Sequence, residues 1–288
     1  MKNKHPVLRR FMRRKVSVVA AAVLILFVLI AILGPLVWQV DPLKQSVMKK
    51  YGPMTVQHPL GTDNLGRDTL ARMIYGARVS LAISFAGVLS GALIGVLLGV
   101  SAGYFGGWVD NIIMRISEVV GGLPFLPFAM ILSAIIGTRI TVEQRMYLIM
   151  VVLGVLSWPG ICHLIRAQIL SQREQEYVTA AQALGVREKN IIFHHIIPNV
   201  MSLILVNATL SFATCMLTES SLSYMGFGIA PPTPTWGNML TGANNSIVIQ
   251  QYWWRWVFPA AIFGICTICI NLVGDALRDA VDPKSAER

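Results

Sequence analysis

The sequence predicts an all-α integral membrane protein with six transmembrane helices and both termini in the cytoplasm. Its 288 residues are 55% hydrophobic and only 13% charged, whereas soluble globular proteins carry about 25% charged residues. Six apolar stretches are each long enough to cross a hydrocarbon layer of about 30 Å. Positive charge is concentrated before the first stretch, as in chains whose basic segments stay cytoplasmic. These features exclude a chain whose whole surface faces water, and the hydrophobicity excludes a disordered one.

Residues 1–15 form a basic tail, which is followed by a first transmembrane anchor at 16–38. The tail contains seven Lys and Arg residues and no acid, which accounts for seven of the ten net positive charges. The anchor has 23 residues without a charge, and a helix of that length spans about 34 Å. A cleaved signal peptide would have an apolar region of about 7 to 15 residues, so we expect the anchor to remain. Nucleic-acid binding by the tail is disfavoured because the adjoining segment is committed to lipid.

Five further apolar stretches complete the predicted bundle. They lie at 79–102, 109–137, 146–165, 196–225 and 253–276. An even number of spans places both termini on one side, and the basic N-terminus identifies that side as cytoplasmic. With this topology, 14 Lys and Arg residues are cytoplasmic and nine are external. The sequence therefore predicts an external loop at 39–78, a five-helix core at 79–276 with a cytoplasmic loop at 166–195, and a cytoplasmic C-terminal tail at 277–288.

Glycine and proline residues predict how the spans pack and bend. In the second span, glycine recurs at every fourth position, which places these residues on one helix face where a partner backbone can approach closely. They are Gly87, Gly91, Gly95, Gly99 and Gly103. Prolines inside later spans each remove a backbone donor and are expected to bend the helix. They are Pro124, Pro127, Pro159 and Pro259. Bent helices suit a pathway through the membrane, although they also occur in inert bundles.

The sequence contains no motif for covalent chemistry or cofactor binding. It has neither a GxxxxGK[ST] phosphate loop nor an HExxH zinc motif. All four cysteines lie in predicted spans, and the pair Cys266 and Cys269 is interpreted as apolar packing. We therefore expect no catalytic, cofactor-binding or metal-binding residue on this chain. Glu219 lies near the outer end of the fifth span, where it would either line an outer gate or mark where the helix leaves the lipid.

Four segments carry a family resemblance. They read HPLGTDNLGRD at 58–68, EQEYVTAAQALGVREKNIIFHHIIPN at 174–199, ESSLSYMGFGIAPPTPTWGNML at 219–240 and NLVGDALRDAVDP at 271–283. All four resemble the C-type transmembrane permease subunit of the dipeptide, oligopeptide and nickel branch of binding-protein-dependent ABC importers. This resemblance implies the fold of a type I importer permease.

The segment at 174–199 is the part of the resemblance that bears on mechanism. In that family it forms a short coupling helix that docks in a groove on a separate ATPase subunit. Ala180 and Ala181 would offer a small, close-fitting face, Gly185 the turn that ends the helix, and Pro198 the start of the fifth span. The acidic residue that usually precedes the two alanines is absent, since Thr179 stands there and the nearest acid is Glu176. Either residue could make the contact with the ATPase.

The resemblance implies a permease that forms half of a translocation pathway. Its expected partners are a second, similar permease, two ATPase subunits that bind ATP and Mg²⁺, an extracytoplasmic solute-binding protein and membrane lipid, with no nucleic acid. The chain would lie in a bacterial or archaeal plasma membrane and would itself catalyse no reaction. Peptides are the expected cargo, with nickel, a metal chelate or glutathione as the alternative. The basic tail would orient the chain, lie on the lipid surface or contact the ATPase.

A secondary carrier and an intramembrane enzyme are the alternatives of a different functional class. A self-contained secondary carrier would have an inverted repeat and an ion site at broken helices. An intramembrane enzyme would have a nucleophile and a base that face one another within the spans. The sequence shows neither pattern, so we favour the permease.

Overall fold

The computed structural model describes residues 10–12, 14–137 and 139–281. Most of the basic tail and the end of the C-terminal tail lie outside these residues. The described chain is helical, and its single β-bridge joins Thr62 to Asp68. The principal helices are α1 (Lys15–Val37), α2 (Thr69–Phe105), α3 (Gly107–Gly122), α4 (Phe125–Gly137), α5 (Val142–Arg173), α6 (Glu176–Ala183), α7 (Glu188–Tyr224), α8 (Trp236–Met239), α9 (Ser246–Gln251) and α10 (Trp254–Val281).

Five of the described helices are long and apolar enough to cross a membrane. They are α1, α2, α5, α7 and α10, and a sixth span exists if α3 and α4 are counted together. The axes of α3 and α4 differ by 79°, so the span predicted at 109–137 is sharply bent at Pro124, as its prolines predict. Leu123 has an extended backbone directly before Pro124, as expected because a proline disfavours the helical conformation of the residue before it.

Helix α2 begins ten residues earlier than the predicted second span. Asp68 caps its N-terminus by accepting a hydrogen bond from the backbone N–H of Ala71 at 2.6 Å. The helix has 37 residues and is therefore about 55 Å long, well beyond the thickness of a hydrocarbon layer. Its first turns extend into the cap, which consists of the segments 39–68 and 225–253 at one end of the bundle. Arg72 donates hydrogen bonds to the carbonyls of Pro42 and Pro232, one in each segment, both at 3.4 Å.

Helices α2 and α5 pack through the five glycines spaced four residues apart. All five glycines are buried. They face Leu153, Ser157, Ile161, Ile165 and Ile169 of α5, which also recur every fourth residue. A Cβ atom built on Gly99 would lie 2.7 Å from the Cys162 carbonyl oxygen, and one on Gly103 would lie 2.9 Å from the Arg166 carbonyl oxygen. Because backbone oxygens cannot move aside easily, this contact requires glycine.

Helix α7 begins at Glu188 and includes a π-helical turn at Ile191–Ile196. The α-helical part begins at Ile197 with Pro198 in its first turn, as predicted, and the preceding turns extend the helical segment back to Glu188. Proline has no N–H to donate to the carbonyl four residues earlier. The wider turn directly before it shifts the backbone pairing, so that the N–H of Ile197 donates to the carbonyl of Ile192. The helix can thus continue through a residue that was expected to begin it.

The start of α1 and the end of α10 lie together at one end of the molecule. Arg14 Nη1 lies 2.6 Å from Asp279 Oδ2, and Arg10 donates a hydrogen bond to the carbonyl of Ala280 at 3.4 Å. Both described ends of the chain are therefore on the same side of the bundle.

Candidate functional site

A short helix, α6, lies across the end of the bundle between α5 and α7. Its inner face carries Val178, which is fully buried, and Ala181, which is 7% exposed. Both belong to one hydrophobic cluster with residues of α2, α5 and α7, among them Ile165, Ile169 and Ile196. Because the inner face of α6 packs against three long helices, movement of α6 would displace the ends of those helices with it.

The opposite face of α6 is exposed. It presents Glu176, Thr179 and Ala180, and the neighbouring Leu184 is 83% exposed. Ala181 is buried against its own subunit whereas Ala180 is exposed, so the two alanines lie on different faces of α6. Successive residues on an α-helix are about 100° apart, so two adjacent alanines do not share a narrow face.

Gly185 ends α6 in a left-handed conformation with a φ of 75°. Its N–H donates to the carbonyl of Gln182 at 2.9 Å, and the N–H of Val186 donates to the carbonyl of Ala181 at 3.1 Å. These two bonds form a Schellman turn, which favours glycine at this position. Gly185 is exposed, so the turn points the chain back to α7 without occupying the docking face.

Two residues that sequence reasoning missed connect α6 to its neighbours. The hydroxyl of Tyr177 donates to Gln172 Oε1 of α5 at 2.6 Å, and Asn199 Nδ2 of α7 donates to the same hydroxyl at 3.2 Å. Asn199 directly follows Pro198 at the end of the cytoplasmic motif, which was the available indication of its role. Tyr177 therefore links α6 to both α5 and α7.

Glu219 lies inside the subunit, at the end of the bundle away from α6. It is fully buried and accepts hydrogen bonds from Ser223 at 2.8 Å, Ser220 at 3.2 Å and Ser80 at 3.4 Å. Ser80 also accepts from the backbone N–H of Trp236 at 3.2 Å. The carboxyl group thus joins α2, α7 and the loop after α7, and it does not face an open surface in this structure.

The motif at 58–68 is part of the cap. Gly61 and Gly66 have φ values of 69° and 71°, and a Cβ on Gly66 would lie 2.0 Å from the Ser46 carbonyl oxygen. Asp68 accepts from the indole N–H of Trp38 at 3.3 Å, and its Oδ2 lies 2.8 Å from His58 Nδ1. These contacts attach the first loop to the ends of α1 and α2.

The described chain is thus a bundle of long apolar helices with α6 across one end and folded loops at the other. Residues 95–287 match the family described as binding-protein-dependent transport system inner membrane component. Residues 5–54 match the N-terminal transmembrane domain of oligopeptide transport permease C. The chain belongs to the family of binding-protein-dependent transport system inner membrane components.

The chain is similar along almost its whole length to peptide permeases of several bacteria. It is 40% identical to the oligopeptide transport system permease protein OppC of Escherichia coli strain K12, over 96% of this chain and 89% of the relative. It is 35% identical to the OppC protein of Bacillus subtilis strain 168, over 96% and 88%. A putative peptide permease of Brucella suis is 34% identical, over 96% and 89%. The family resemblance and the helical permease fold predicted from the sequence are confirmed.

Proposed function

We propose that this chain is the C-type permease of an ATP-driven importer of dipeptides or oligopeptides, in which it forms half of the translocation pathway. The observation that carries the proposal is α6, whose inner face is buried against α2, α5 and α7 while its outer face is free. Similarity to oligopeptide permeases over 96% of the chain supports peptides as the cargo.

The proposed assembly contains a second, similar permease, two ATPase subunits on the cytoplasmic side and an extracytoplasmic solute-binding protein. ATP and Mg²⁺ would bind to the ATPase subunits, and this chain would hold no cofactor and catalyse no reaction. Both termini and α6 would lie in the cytoplasm of the plasma membrane, with the cap around Glu219 outside. The basic N-terminus and the contact of Arg14 with Asp279 support this orientation.

The coupling mechanism follows from the packing of α6. Closure of the ATPase pair on ATP would push on the exposed face formed by Glu176, Thr179 and Ala180. Tyr177 would pass this displacement to α5 and α7 through its two hydrogen bonds. Because α7 also carries Glu219, movement of the helix would change the contacts that hold the cap, which is how Glu219 would contribute to an outer gate.

The coupling role can be tested by placing a bulky residue on the exposed face. We expect Ala180→Trp to lower copurification with the cognate ATPase subunits and to reduce peptide uptake at least about tenfold, because the small docking face is lost. Met48→Trp is the matched control, since Met48 is 99% exposed and lies in the loop between α1 and α2, far from α6 in the chain. Normal copurification and uptake by Ala180→Trp would overturn the assignment of α6.

The cargo can be tested separately in cells that lack the chromosomal copy of this gene. Complementation should restore uptake of radiolabelled dipeptides or oligopeptides, and an excess of unlabelled peptide should compete. Restoration of nickel or glutathione uptake without peptide uptake would contradict the peptide assignment while leaving the coupling role intact.

A further inference from the structure

The outer cap contains a partly open cavity, lined mainly by polar residues, that neither α6 nor the Glu219 network uses. Its volume is about 140 Å³, which has room for several water molecules or one small anion. It is bounded by the motif at 63–67, the first turn of α2, the loop after α7 and the start of α10. The polar side chains on its wall are Asp63, Asn64, Arg67, Thr69, Arg72, Asn238, Thr241 and Arg255.

The positive charges around the cavity exceed the negative ones. Three guanidinium groups line it, and Asp63 is the one carboxylate among its described lining residues. Arg67 and Arg72 are 6% and 4% exposed. Both approach the same oxygen of Asp63, with Nε to Oδ2 distances of 2.7 Å and 3.5 Å. Buried charges are normally paired because desolvation is costly, so one carboxylate leaves this group of cations short of negative charge.

The carboxylate of Asp63 has little capacity left for a third cation. Its Oδ1 already accepts from the backbone N–H groups of Leu65 at 2.9 Å and Arg67 at 3.0 Å. Arg255 instead donates to the neutral Asn64 Oδ1 at 3.2 Å, and within the described chain it forms no ion pair. The partly buried Arg255 therefore faces the cavity without a carboxylate of its own.

Thr69 provides an independent indication of a ligand. Thr69 lines the cavity and is 1% exposed, and its buried hydroxyl oxygen has no hydrogen-bond partner among the described residues. Buried hydroxyl groups are normally satisfied. Thr69 is also the first residue of α2, where the helix dipole favours negative charge. The free hydroxyl and the excess of guanidinium groups both call for an acceptor in the same space.

We propose that this cavity is a binding site for a small oxyanion of the carboxylate, sulfate or phosphate type. The anion would accept hydrogen bonds from Thr69 and Arg255 and would neutralise charge left over on Arg67 and Arg72. It would bridge the first loop, α2, the loop after α7 and α10, and so stabilise the closed cap. The site goes beyond the proposed transport function, and the proposal does not depend on the identity of the cargo.

The experiment measures anion-dependent thermal unfolding of the full chain in lipid nanodiscs. Sodium sulfate, phosphate or acetate is titrated at constant ionic strength against sodium chloride. We expect the wild-type protein to show a saturable rise in melting temperature. Because a hydrogen bond to a charged group is worth a large factor in affinity, Thr69→Val and Arg255→Gln should each weaken the apparent affinity at least about tenfold. Thr69→Val should not lower the melting temperature without anion, since it removes a hydroxyl that has no partner.

Arg78→Gln is the matched control, because Arg78 is an exposed cation on the same part of α2 and does not line this cavity. It should respond to anions like the wild type. The proposal is overturned if no oxyanion produces a saturable rise, if Thr69→Val and Arg255→Gln respond like the wild type, or if Arg78→Gln is weakened equally. Equal weakening of Arg78→Gln would show that the anions act through the overall charge of the protein or through exclusion of the salt from its surface, and not through a specific site.

The source of the oxyanion is distinguished by a second titration with tripeptides. Stabilisation by a tripeptide with a free C-terminus, but not by its C-terminal amide, would identify a peptide carboxylate as the ligand. Stabilisation by sulfate or phosphate, without an effect of either tripeptide, would identify a free inorganic anion. Either result supports the site, and the absence of both effects overturns it.

Discussion

Glu219 illustrates how a single buried acid is accommodated in an apolar bundle. Its two carboxyl oxygens accept from three serine hydroxyls, and two of those hydroxyls accept in turn from backbone N–H groups of the cap, those of Trp236 and Ile229. The carboxyl group therefore acts through Ser80 and Ser223 on the backbone of the loop after α7. A polar group that satisfies several partners in this way is expensive to replace.

Replacement of Glu219 should destabilise the cap according to how many acceptors are lost. Glu219→Leu leaves the hydroxyls of Ser80 and Ser223 without an acceptor, and we expect it to lower the free energy of unfolding by at least about 2 kcal/mol. Glu219→Gln keeps a carbonyl acceptor of similar shape and should have a smaller effect. Thermal unfolding in detergent measures the difference. Equal stability of Glu219→Leu and the wild type would show that the network does not hold the cap.

Gly185 is a second position where one residue determines local structure. A Cβ at this site would meet nothing within 4 Å, so the penalty for Gly185→Ala comes from the positive φ alone and should be about 1 kcal/mol. We expect faster hydrogen exchange in the segment that follows α6, with little change in global stability. Gly185→Asn is the control, because asparagine tolerates this conformation better. Unchanged exchange in Gly185→Ala would contradict the role of the turn.

At the scale of elements, α2 and α5 form a closely packed helix pair. Glycine on one helix and branched or small residues on the other bring the two backbones close over five successive turns. Gly154 of α5 takes part as well, since a Cβ there would lie 2.0 Å from Ser90 Oγ of α2. The opposite face of α2 carries the exposed residues Phe85, Leu89 and Leu93. One face of this helix is therefore buried against α5, and the other is an exposed apolar surface.

A methyl group at the centre of this contact should separate the helices. In Gly99→Ala the new Cβ would lie 2.7 Å from a backbone oxygen, and we expect a loss of about 1–3 kcal/mol in the free energy of unfolding. Gly264→Ala in α10 is the matched control, because a Cβ there meets nothing within 4 Å, and alanine favours helix over glycine. Thermal unfolding of both variants checks the contact. A Gly99→Ala protein as stable as Gly264→Ala would argue against close packing.

At the scale of the whole molecule, the coupling helix and the cap are predicted to lie on opposite sides of the membrane. The four native cysteines are all buried, so single introduced cysteines can report accessibility with little background. We expect Met48→Cys to react with an impermeant maleimide on intact spheroplasts and Leu184→Cys to react only after lysis. Both positions are strongly exposed, at 99% and 83%. The reverse pattern would invert the proposed orientation.

The sequence by itself determined the class of protein, the approximate spans and the positions of the functional loops. Those features depend on properties of one segment at a time. Apolar length predicted the spans, the spacing of Gly87 to Gly103 predicted one helix face, and the motif at 174–199 indicated the coupling loop. The ends of the helices were less well predicted, because Asp68 and the π-helical turn before Pro198 extend α2 and α7 past the apolar stretches.

Only the tertiary structure decided which side chains meet and which remain exposed. Ser80 and Glu219 are 139 residues apart in the chain, and Arg67 of the first loop and Arg255 of α10 line one cavity. Ala180 and Ala181 are neighbours in sequence, yet one is exposed and the other is buried. The physical reason is the same in each case. Burial and hydrogen bonding depend on the contacts between distant elements, whereas hydropathy and spacing describe each element alone.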